Sequence, residues 1–289
     1  MKKHVFIIGS RGLPAKYGGF ETFVEELVKH QNNKNIKYHV ACQSENSDMA
    51  LPGEHFEYLG ADCFVIKLPK IGSARVIAYD ILAINAALKY CKKEEIKAPI
   101  FYILGNTAGG FIGHYANKIH KLGGKLFVNP DGLEWKRTKW AAPIRSYLKF
   151  AEKKMVRYAD LIISDNAGIK DYLTSEYGQV ESEVIAYGTE KFKSDLTESE
   201  TLVKYKVNDY YLIVGRFVPE NNYETLIRAF MKSSTKRDLV IITNHEGNAY
   251  FKELREKTQF DKDARIKFVG TVYNQNELRY IREHAFAYL

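Results

Sequence analysis

Long apolar runs are absent from this sequence of 289 residues. No stretch reaches the length of about 18 uninterrupted apolar residues that a membrane-spanning helix requires. Near the N-terminus the apolar run covers only residues 5–8, which is too short for the apolar segment of a signal peptide. We therefore expect neither a signal peptide nor a spanning helix.

Cysteine is scarce as well. The three cysteines, Cys42, Cys63 and Cys91, are odd in number and lie within apolar stretches. This pattern favours buried thiols in a reducing cytosol over a disulfide framework or a metal site. The eight histidines form no set with the spacing of metal ligands, so we expect no metal and no cofactor.

Positive charge is in excess, with a formal net charge of +8. Such a balance favours anionic partners, namely phosphate-bearing substrates, an anionic membrane surface or nucleic acid. Nucleic acid is the least favoured of the three, because no recognised nucleic-acid-binding module accompanies the charge. The hydrophobic content of 45% is enough for a real core, and the length favours two domains over one.

Short apolar runs alternate with helical patterns along the chain, which predicts a doubly wound α/β fold. Predicted strands cover residues 4–8, 38–42, 63–67, 99–104, 125–129, 161–164 and 182–186, and helices lie between them near 19–30, 75–92, 109–122, 141–158 and 166–177. A polar stretch then interrupts the pattern, and the alternation restarts with "DYYLIV". We predict an N-terminal domain over 1–188, a linker over 189–208 and a C-terminal domain over 209–289.

The stretch "GSRGLPAKYGGFETFVEEL", residues 9–27, follows the first predicted strand. It is neither a dinucleotide fingerprint nor a Walker A loop, because the required glycine spacing and the Gly-Lys-Ser/Thr sequence are both absent. Gly18 and Gly19 leave the backbone open at the start of a helix, where free N–H groups attract an anion. The helical pattern predicts that the acidic residues Glu21, Glu25 and Glu26 face away from the core. A glycine-rich connector without a ligand is the alternative.

A second glycine-bearing stretch, "YLIVGRFVPENNYETLIRAF", covers residues 211–230. Its strand ends at Gly215, and Arg216 follows at the carboxyl end, where open α/β sheets bind ligands. A guanidinium at that place is suited to grip a diphosphate with two hydrogen bonds. The alternative is that Arg216 pairs with a nearby carboxylate such as Glu220.

Together these stretches resemble glycosyltransferase family 4. The segment "VGRFVPENNYETLIRAF" is similar to the donor-site motif of that family, and residues 9–27 with "NPDGLEWKRTKW" (129–140) resemble its bacterial rhamnosyltransferase subgroup, which builds capsule, cell-wall and O-antigen polysaccharides. The resemblance implies a GT-B fold, in which two Rossmann-like domains face each other across a cleft. It also implies a cytoplasmic enzyme, peripheral at the inner face of the cell membrane.

The resemblance further implies a metal-independent, retaining transfer of L-rhamnose from dTDP-L-rhamnose to a polyprenyl-diphosphate-linked saccharide. Two other functions stay open at this point. One is a hexosyltransferase that uses another sugar nucleotide. The other is a sugar-nucleotide or polyanion binding protein without turnover.

The resemblance and the strand ends assign roles to named residues. We expect Asp131 and Arg216 at the catalytic centre, although Asp131 has the alternative of capping the following helix. Donor binding is expected from Gly18, Gly19, Arg216, Asn221, Val272 and Tyr273, and acceptor binding from Tyr17, Asn106, Glu134, Lys136 and Arg137.

The chain departs from the family pattern in two respects. Asn221 stands where the family usually has a lysine, so the phosphate clamp depends more on Arg216 and on backbone amides. The family also continues beyond the last residue of this chain into a motif of two glutamates separated by seven residues, so we expect a C-terminally truncated fragment with an incomplete second domain.

A further signal is weak. Asp261-Lys262-Asp263 copies the Asp-x-Asp pattern of metal-dependent glycosyltransferases, but its polar loop predicts solvated side chains.

Residues 136–157 hold eight basic residues and one acidic residue, with apolar residues interleaved. Such a stretch is suited to lie on an anionic membrane surface, which fits a lipid-linked acceptor. The alternative is an ordinary amphipathic helix that packs its apolar face on the sheet. Both hold if only the basic face meets lipid.

Overall fold

A computed structural model describes residues 2–16, 18–69, 71–137, 140–188 and 193–289. The chain divides into two compact units, residues 1–188 and 189–289, here called the first and the second unit. Each unit is an α/β structure with its own sheet.

The first unit contains, over its described residues, a sheet with the strand order β3-β4-β2-β1-β5-β6-β7-β8. All neighbouring strands are parallel except β3, which runs antiparallel to β4. The strands are β1 (Lys3–Ile8), β2 (Ile36–Gln43), β3 (His55–Tyr58), β4 (Ala61–Ile66), β5 (Ile100–Leu104), β6 (Lys125–Asn129), β7 (Leu161–Ser164) and β8 (Ser182–Val184).

Helices cover both faces of this sheet, because successive side chains of a strand point to opposite faces. Phe6 and Ile8 of β1 join one buried cluster, whereas Ile7 joins the other. The helices are α1 (Gly19–Lys29), α2 (Arg75–Lys93), α3 (Gly109–Lys121), α4 (Ala142–Tyr158) and α5 (Ala167–Tyr177), with 3₁₀ turns at Gly72–Ala74 and Glu134–Lys136.

The second unit contains a parallel sheet with the strand order β11-β10-β9-β12 among its described residues. Its elements are α6 (Glu200–Lys204), β9 (Tyr210–Val214), α7 (Tyr223–Lys232), β10 (Asp238–Ile242), α8 (Ala249–Thr258), β11 (Ile266–Gly270), α9 (Gln275–His284) and β12 (Ala287–Tyr288), with 3₁₀ turns at Pro219–Asn221 and Phe260–Lys262. Crossover helices between parallel strands make this a doubly wound sheet as well.

The described part of the stretch expected as a linker, residues 193–208, packs on the second unit. Helix α6 lies within it, and Leu202 of that helix is buried in the core of the unit. The Ser199 hydroxyl donates to Glu277 of α9 at 2.8 Å. This stretch is therefore part of the second unit and carries regular structure.

The predicted strands of the first unit correspond to β1, β2 and β4–β8, so the doubly wound α/β class is confirmed. Strand β3 was not predicted, because "HFEY" is short and half-exposed and holds no continuous apolar run. Within the described residues no helix is both long and apolar enough to cross a bilayer.

Candidate functional site

Three neighbouring parallel strands, β1, β5 and β6, end at the same edge of the first sheet. The loops that follow them hold the glycine stretch, Asn106 and Asp131. The sheet topology therefore brings these predicted site residues to one edge, as the position of ligands in open α/β sheets requires.

The loop after β1 packs closely on its surroundings because its glycines lack side chains. A Cβ atom at Gly9, which has a φ of 110°, would lie 2.1 Å from the carbonyl oxygen of Leu104. One at Gly12, with a φ of 104°, would lie 2.6 Å from Sγ of Cys42. Both positions combine a left-handed backbone with a close approach, so only glycine fits there.

Two carboxylates of helix α1 hold this loop in place. Glu21 accepts a hydrogen bond from the backbone N–H of Arg11 at 2.6 Å, and Glu25 accepts one from Ala15 at 3.0 Å. Glu25 also accepts from the hydroxyl of Tyr58 at 2.8 Å. Burial, followed by this hydrogen bond, raises the pKa of Tyr58 to about 12. Two amides of the loop are thus occupied by the protein's own carboxylates.

The prediction that Glu21 faces away from the core is wrong. Its side chain is buried, with 6% of its surface exposed, and a Cβ atom at Gly18 would lie 1.8 Å from its Oε2. Because Glu21 lies one and two turns before the buried residues Val24 and Val28, the helical spacing itself places it on the inner face. Glu25 and Glu26 are half-buried.

Gly18 and Gly19 form the start of helix α1. Gly18 has a φ of 129° and precedes the helix, whereas a Cβ atom at Gly19 would meet nothing within 4 Å. The backbone at Gly19 is therefore open to a ligand, with the positive end of the helix dipole beside it. Tyr17, an expected acceptor contact, lies outside the described residues.

Asn106, after β5, joins two of the strand-end loops. Its side-chain amide donates to the carbonyl oxygen of Pro130 at 2.8 Å. Its own carbonyl oxygen Oδ1 is buried and has no hydrogen-bond partner in the described structure. Because a buried amide oxygen without a partner is costly, Oδ1 is a place where a hydroxyl group of a ligand would be stabilised.

Asp80 is a buried acid beside this loop that the sequence analysis did not single out. Its Oδ2 accepts a hydrogen bond from the hydroxyl of Thr107, and its Oδ1 is buried without a partner. Burial raises the pKa of Asp80 to about 7. The residue lies on the buried stripe of α2 with Ala83 and Ile84, so its helical position was a signal that it points inward.

Asp131, after β6, has a left-handed backbone with a φ of 58°. Its N–H donates to the side-chain oxygen of Asn129 at 2.9 Å, which fixes the turn. Its carboxyl group is half-buried, and this burial raises its pKa. The alternative role as a helix cap is not found, because neither the 3₁₀ turn at Glu134–Lys136 nor α4 has a side-chain cap.

Glu134 and Arg137, two expected acceptor contacts, pair with each other at 2.7 Å. Glu134 also accepts from the indole N–H of Trp140 at 2.8 Å. These contacts stabilise the loop and partly neutralise both charges. The ammonium group of Lys136, the third expected contact in this loop, lies over the ring of Trp135 at 5.2 Å.

Arg216 of the second unit lies immediately beyond β9 and is exposed. The expected alternative, a pair with Glu220, is not found: the guanidinium makes no ion pair with any described residue. The side-chain amide of Asn221 donates to the backbone carbonyl of Arg216 at 2.7 Å. Asn221 therefore supports the loop of Arg216, while the guanidinium is free to contact an anion.

Two neighbouring strand ends complete this edge of the second sheet. The hydroxyl of Thr243, after β10, donates to the carbonyl oxygen of Gly215 at 2.6 Å. After β11, the side chain of Val272 packs on the core, whereas Tyr273 is 69% exposed. Among the expected donor contacts of this unit, Arg216, Asn221 and Tyr273 are exposed, whereas Val272 is half-buried.

Asp261 is exposed, as expected, whereas Asp263 is half-buried, and both form ion pairs with arginines. Asp261 pairs with Arg255 at 2.8 Å, and Asp263 pairs with Arg265 at 2.6 Å. No group of three or more potential metal ligands occurs among the residues that the structure describes.

Sequence comparison matches residues 2–190 to the family model described as "Domain of unknown function (DUF1972)". This match covers more than half of the chain. No curated protein shows significant similarity to the sequence.

Solved structures are similar over nearly the whole chain. Sucrose-phosphate synthase from Thermosynechococcus elongatus has a TM-score of 0.75 at 16% identity, with 99% of this chain and 75% of that chain covered. HepE from Anabaena, in complex with UDP and glucose, has a TM-score of 0.62 at 16% identity, with coverages of 96% and 71%. UDP-N-acetylglucosamine 2-epimerase from Rickettsia bellii has a TM-score of 0.54 at 17% identity, with coverages of 100% and 73%.

At these identities the similarity shows the fold. The chain has the Rossmann-like GT-B fold that the sequence predicts.

Proposed function

Since this chain belongs to the DUF1972 family and has the GT-B fold, we propose that it is a glycosyltransferase that uses a sugar nucleotide as donor. Sucrose-phosphate synthase and HepE with bound UDP and glucose have the same fold and support this class of activity. The observation that carries the proposal is Arg216, an exposed guanidinium at the carboxyl end of β9 that forms no ion pair within the described part of the chain.

The chemistry of transfer requires a cation at such a place. Breaking the anomeric C–O bond leaves negative charge on the departing diphosphate, and an oriented guanidinium stabilises that charge through two hydrogen bonds. Arg216 takes this role in our proposal, and the open backbone at Gly19 binds a further oxygen of the donor. The donor phosphate itself assists removal of the acceptor proton, so no carboxylate nucleophile is needed for retention of configuration.

The acceptor side is assigned to the first unit. In our proposal Asn106 Oδ1 accepts a hydrogen bond from an acceptor hydroxyl, and the half-buried carboxyl group of Asp131, at the neighbouring strand end, is a second contact for the acceptor. Glu134, Lys136, Arg137 and Tyr17 complete the proposed acceptor contacts.

We further propose L-rhamnose as the transferred sugar, dTDP-L-rhamnose as its donor and a polyprenyl-diphosphate-linked saccharide as its acceptor. These choices follow the resemblance of residues 9–27 and 129–140 to the rhamnosyltransferase subgroup of glycosyltransferase family 4. The enzyme would then act in surface polysaccharide synthesis, at the inner face of the cell membrane. A hexose donor is the alternative within the same reaction class.

The proposal is tested by turnover and binding with the full-length chain. A panel of dTDP- and UDP-sugars is incubated with the enzyme, and both the released nucleotide and the fate of the sugar are followed. Release of dTDP with transfer of the sugar supports the proposal. An intact sugar nucleotide with an isomerised sugar would instead indicate an epimerase, an activity for which the Rickettsia bellii neighbour is named.

Replacing Arg216 by alanine separates the donor site from general charge effects. We expect Arg216→Ala to weaken dTDP binding about 30-fold, as measured by calorimetry, because a charge-assisted hydrogen bond is lost. Arg282→Ala is the matched control, since Arg282 is also exposed in the second unit. Equal affinities for the two variants would refute the assigned donor site.

A further inference from the structure

A groove of about 760 Å³ runs along the exposed side of helix α4, in the first unit. We call it the α4 groove and define it by Trp135, Arg145, Lys149, Phe150, Lys153 and Tyr177. It combines cationic side chains with three aromatic rings, and its described lining residues include no acidic one.

A hydrogen-bonded network fixes one wall of the groove. The buried carboxylate of Glu152 accepts from the hydroxyls of Tyr172 at 2.6 Å and Tyr177 at 2.5 Å. Lys149 donates to the Tyr172 hydroxyl at 2.6 Å, and its ammonium group lies 4.6 Å from the centre of the Trp135 ring. Because these side chains hold each other, the shape of the groove exists before any ligand binds.

The charge of Lys149 is already balanced. Its ammonium group pairs with Glu152 at 3.3 Å and with Glu176 at 2.9 Å. Burial acts to lower the pKa of Lys149, but the hydrogen bonds with Tyr172, Tyr177 and Glu176 raise it overall. Lys149 is therefore a fixed structural cation of the groove.

Other cations of the groove lack such compensation. Arg145 and Lys153 are exposed, lie two turns apart on α4 and make no ion pair with any residue in the described ranges. Lys136, at the neighbouring turn, likewise has no carboxylate partner there. The groove thus presents positive charge without its own counter-ion, which favours an anionic ligand.

Apolar surface accompanies this charge. The side chain of Phe150, which lines the same groove as the two cations, is 48% exposed, although α4 buries Leu148, Met155 and Val156 on its other side. A phosphate-bearing lipid satisfies both features, because its headgroup pairs with Arg145 and Lys153 while its apolar portion covers Phe150.

An acidic oligosaccharide fits the lining less well. Sugar hydroxyls require several neutral hydrogen-bonding partners, and the lining offers Ser146 as its free hydroxyl, since the hydroxyl of Tyr177 is used by Glu152.

We propose that the α4 groove is a binding site for the phosphate headgroups of anionic lipids in a membrane surface. This inference rests on the proposed function in one respect, since a lipid-linked acceptor requires the enzyme to reach a membrane.

Vesicle co-sedimentation of the full-length chain tests the proposal. We expect binding to vesicles of phosphatidylglycerol and phosphatidylcholine, and little binding to phosphatidylcholine alone. The double variant Arg145→Ala with Lys153→Ala should bind the anionic vesicles about 10- to 30-fold more weakly. Phe150→Ser should also weaken binding, and this loss should persist at high salt, where charge effects are screened.

The matched control is Lys121→Ala with Lys125→Ala, which removes two exposed cations elsewhere in the first unit. Thermal melts of every variant exclude unfolding as the cause of lost binding. Equal loss in both double variants would show a dependence on net charge alone and would overturn the site.

Two soluble probes distinguish other ligands. Inorganic phosphate should compete with vesicles only at high concentration. Polygalacturonate is the second probe. If it binds tightly, and if the Arg145 and Lys153 double variant loses this binding but still binds vesicles like the unaltered chain, the groove is an acidic saccharide site. That result would overturn the lipid proposal. Donor turnover by the unaltered chain in vesicle-free buffer tests the proposed function separately.

Discussion

The two units differ in whether they bury ionisable side chains. The first unit buries the carboxyl groups of Glu21, Asp80 and Glu152. Among the described residues of the second unit, the buried polar side chains are the neutral ones of Ser199, Thr243 and Thr258. Because a buried charge or acid must be held by neighbours, the first unit uses such groups to fix its loops, and the second leaves its charged groups at the surface.

The loop after β1 in the first unit and the loop after β9 in the second unit differ in the same way. In the first unit, carboxylates from α1 occupy loop amides, and they place negative charge beside the glycine turn. In the second unit, Arg216 is exposed and has no acidic partner among the residues that the structure describes. The loop of the second unit therefore offers an uncompensated cation to an anionic ligand, whereas the loop of the first unit offers a shaped backbone surface.

The largest expected effect concerns Asp80. Since burial raises its pKa to about 7, the folded chain keeps a proton that the unfolded chain releases near pH 4. The free energy of unfolding should therefore fall as the pH rises from 4 to 7, by on the order of 4 kcal/mol. Asp80→Asn mimics the protonated carboxyl group and should remove this part of the pH dependence.

Urea denaturation at pH 5 and pH 8 measures the difference. We expect Asp80→Asn to be more stable than the unaltered chain at pH 8, and Asp171→Asn, an exposed change on α5, to follow the unaltered chain. Parallel pH profiles for all three proteins would contradict a buried titrating acid.

A smaller effect is expected at Glu21. Glu21→Ala leaves the amide of Arg11 without its acceptor and should lower the free energy of unfolding by about 2 kcal/mol. Glu26→Ala, on the same helix, should change it by less than about 0.5 kcal/mol, because the partly exposed carboxylate of Glu26 pairs with the exposed side chain of Lys29.

The nucleotide affinity of the same variants tests the division of roles. Glu21→Ala should weaken dTDP binding less than Arg216→Ala does. The reverse order would mean that the first unit carries the main donor contacts and that the contrast between the units is misread.

The smallest expected effect concerns Asn221. Asn221→Ala removes a hydrogen bond to the backbone of Arg216 and should weaken dTDP binding by about 1 kcal/mol, which corresponds to roughly five-fold in Kd. The melting temperature should change little, because Asn221 is exposed. An unchanged Kd, measured by calorimetry, would show that the hydrogen bond from the Val218 amide suffices to hold this loop.

Much of the fold was predictable because parallel strands that are covered on both faces form continuous apolar runs. The runs at β1, β5 and β9 therefore marked the sheet and, with it, the edge where the site residues lie. The position of Arg216 directly after β9 followed from the same pattern.

The remaining features depend on contacts between distant residues. The hydrogen bond from the Arg11 amide to Glu21 requires a loop that folds back onto α1, and the hydrogen bond to Asp80 comes from Thr107 on another loop. The pairing of Glu134 with Arg137 was within reach of the sequence, since three-residue spacing favours such pairs in a helical turn. The hydrogen-bonded wall of the α4 groove could not be predicted, because it depends on the position of α5 beside α4, which no local sequence pattern specifies.

The antiparallel strand β3 bears on the solubility of the protein. An outermost strand presents unpaired backbone groups to which a strand of another molecule adds, and long flat edges therefore promote aggregation. Strand β3 covers only residues His55–Tyr58, and it exposes His55 and Glu57 along the rim of the sheet. A short, polar edge strand of this kind has few unpaired backbone groups with which a strand of another molecule could form hydrogen bonds. This side of the sheet is therefore protected against intermolecular strand addition.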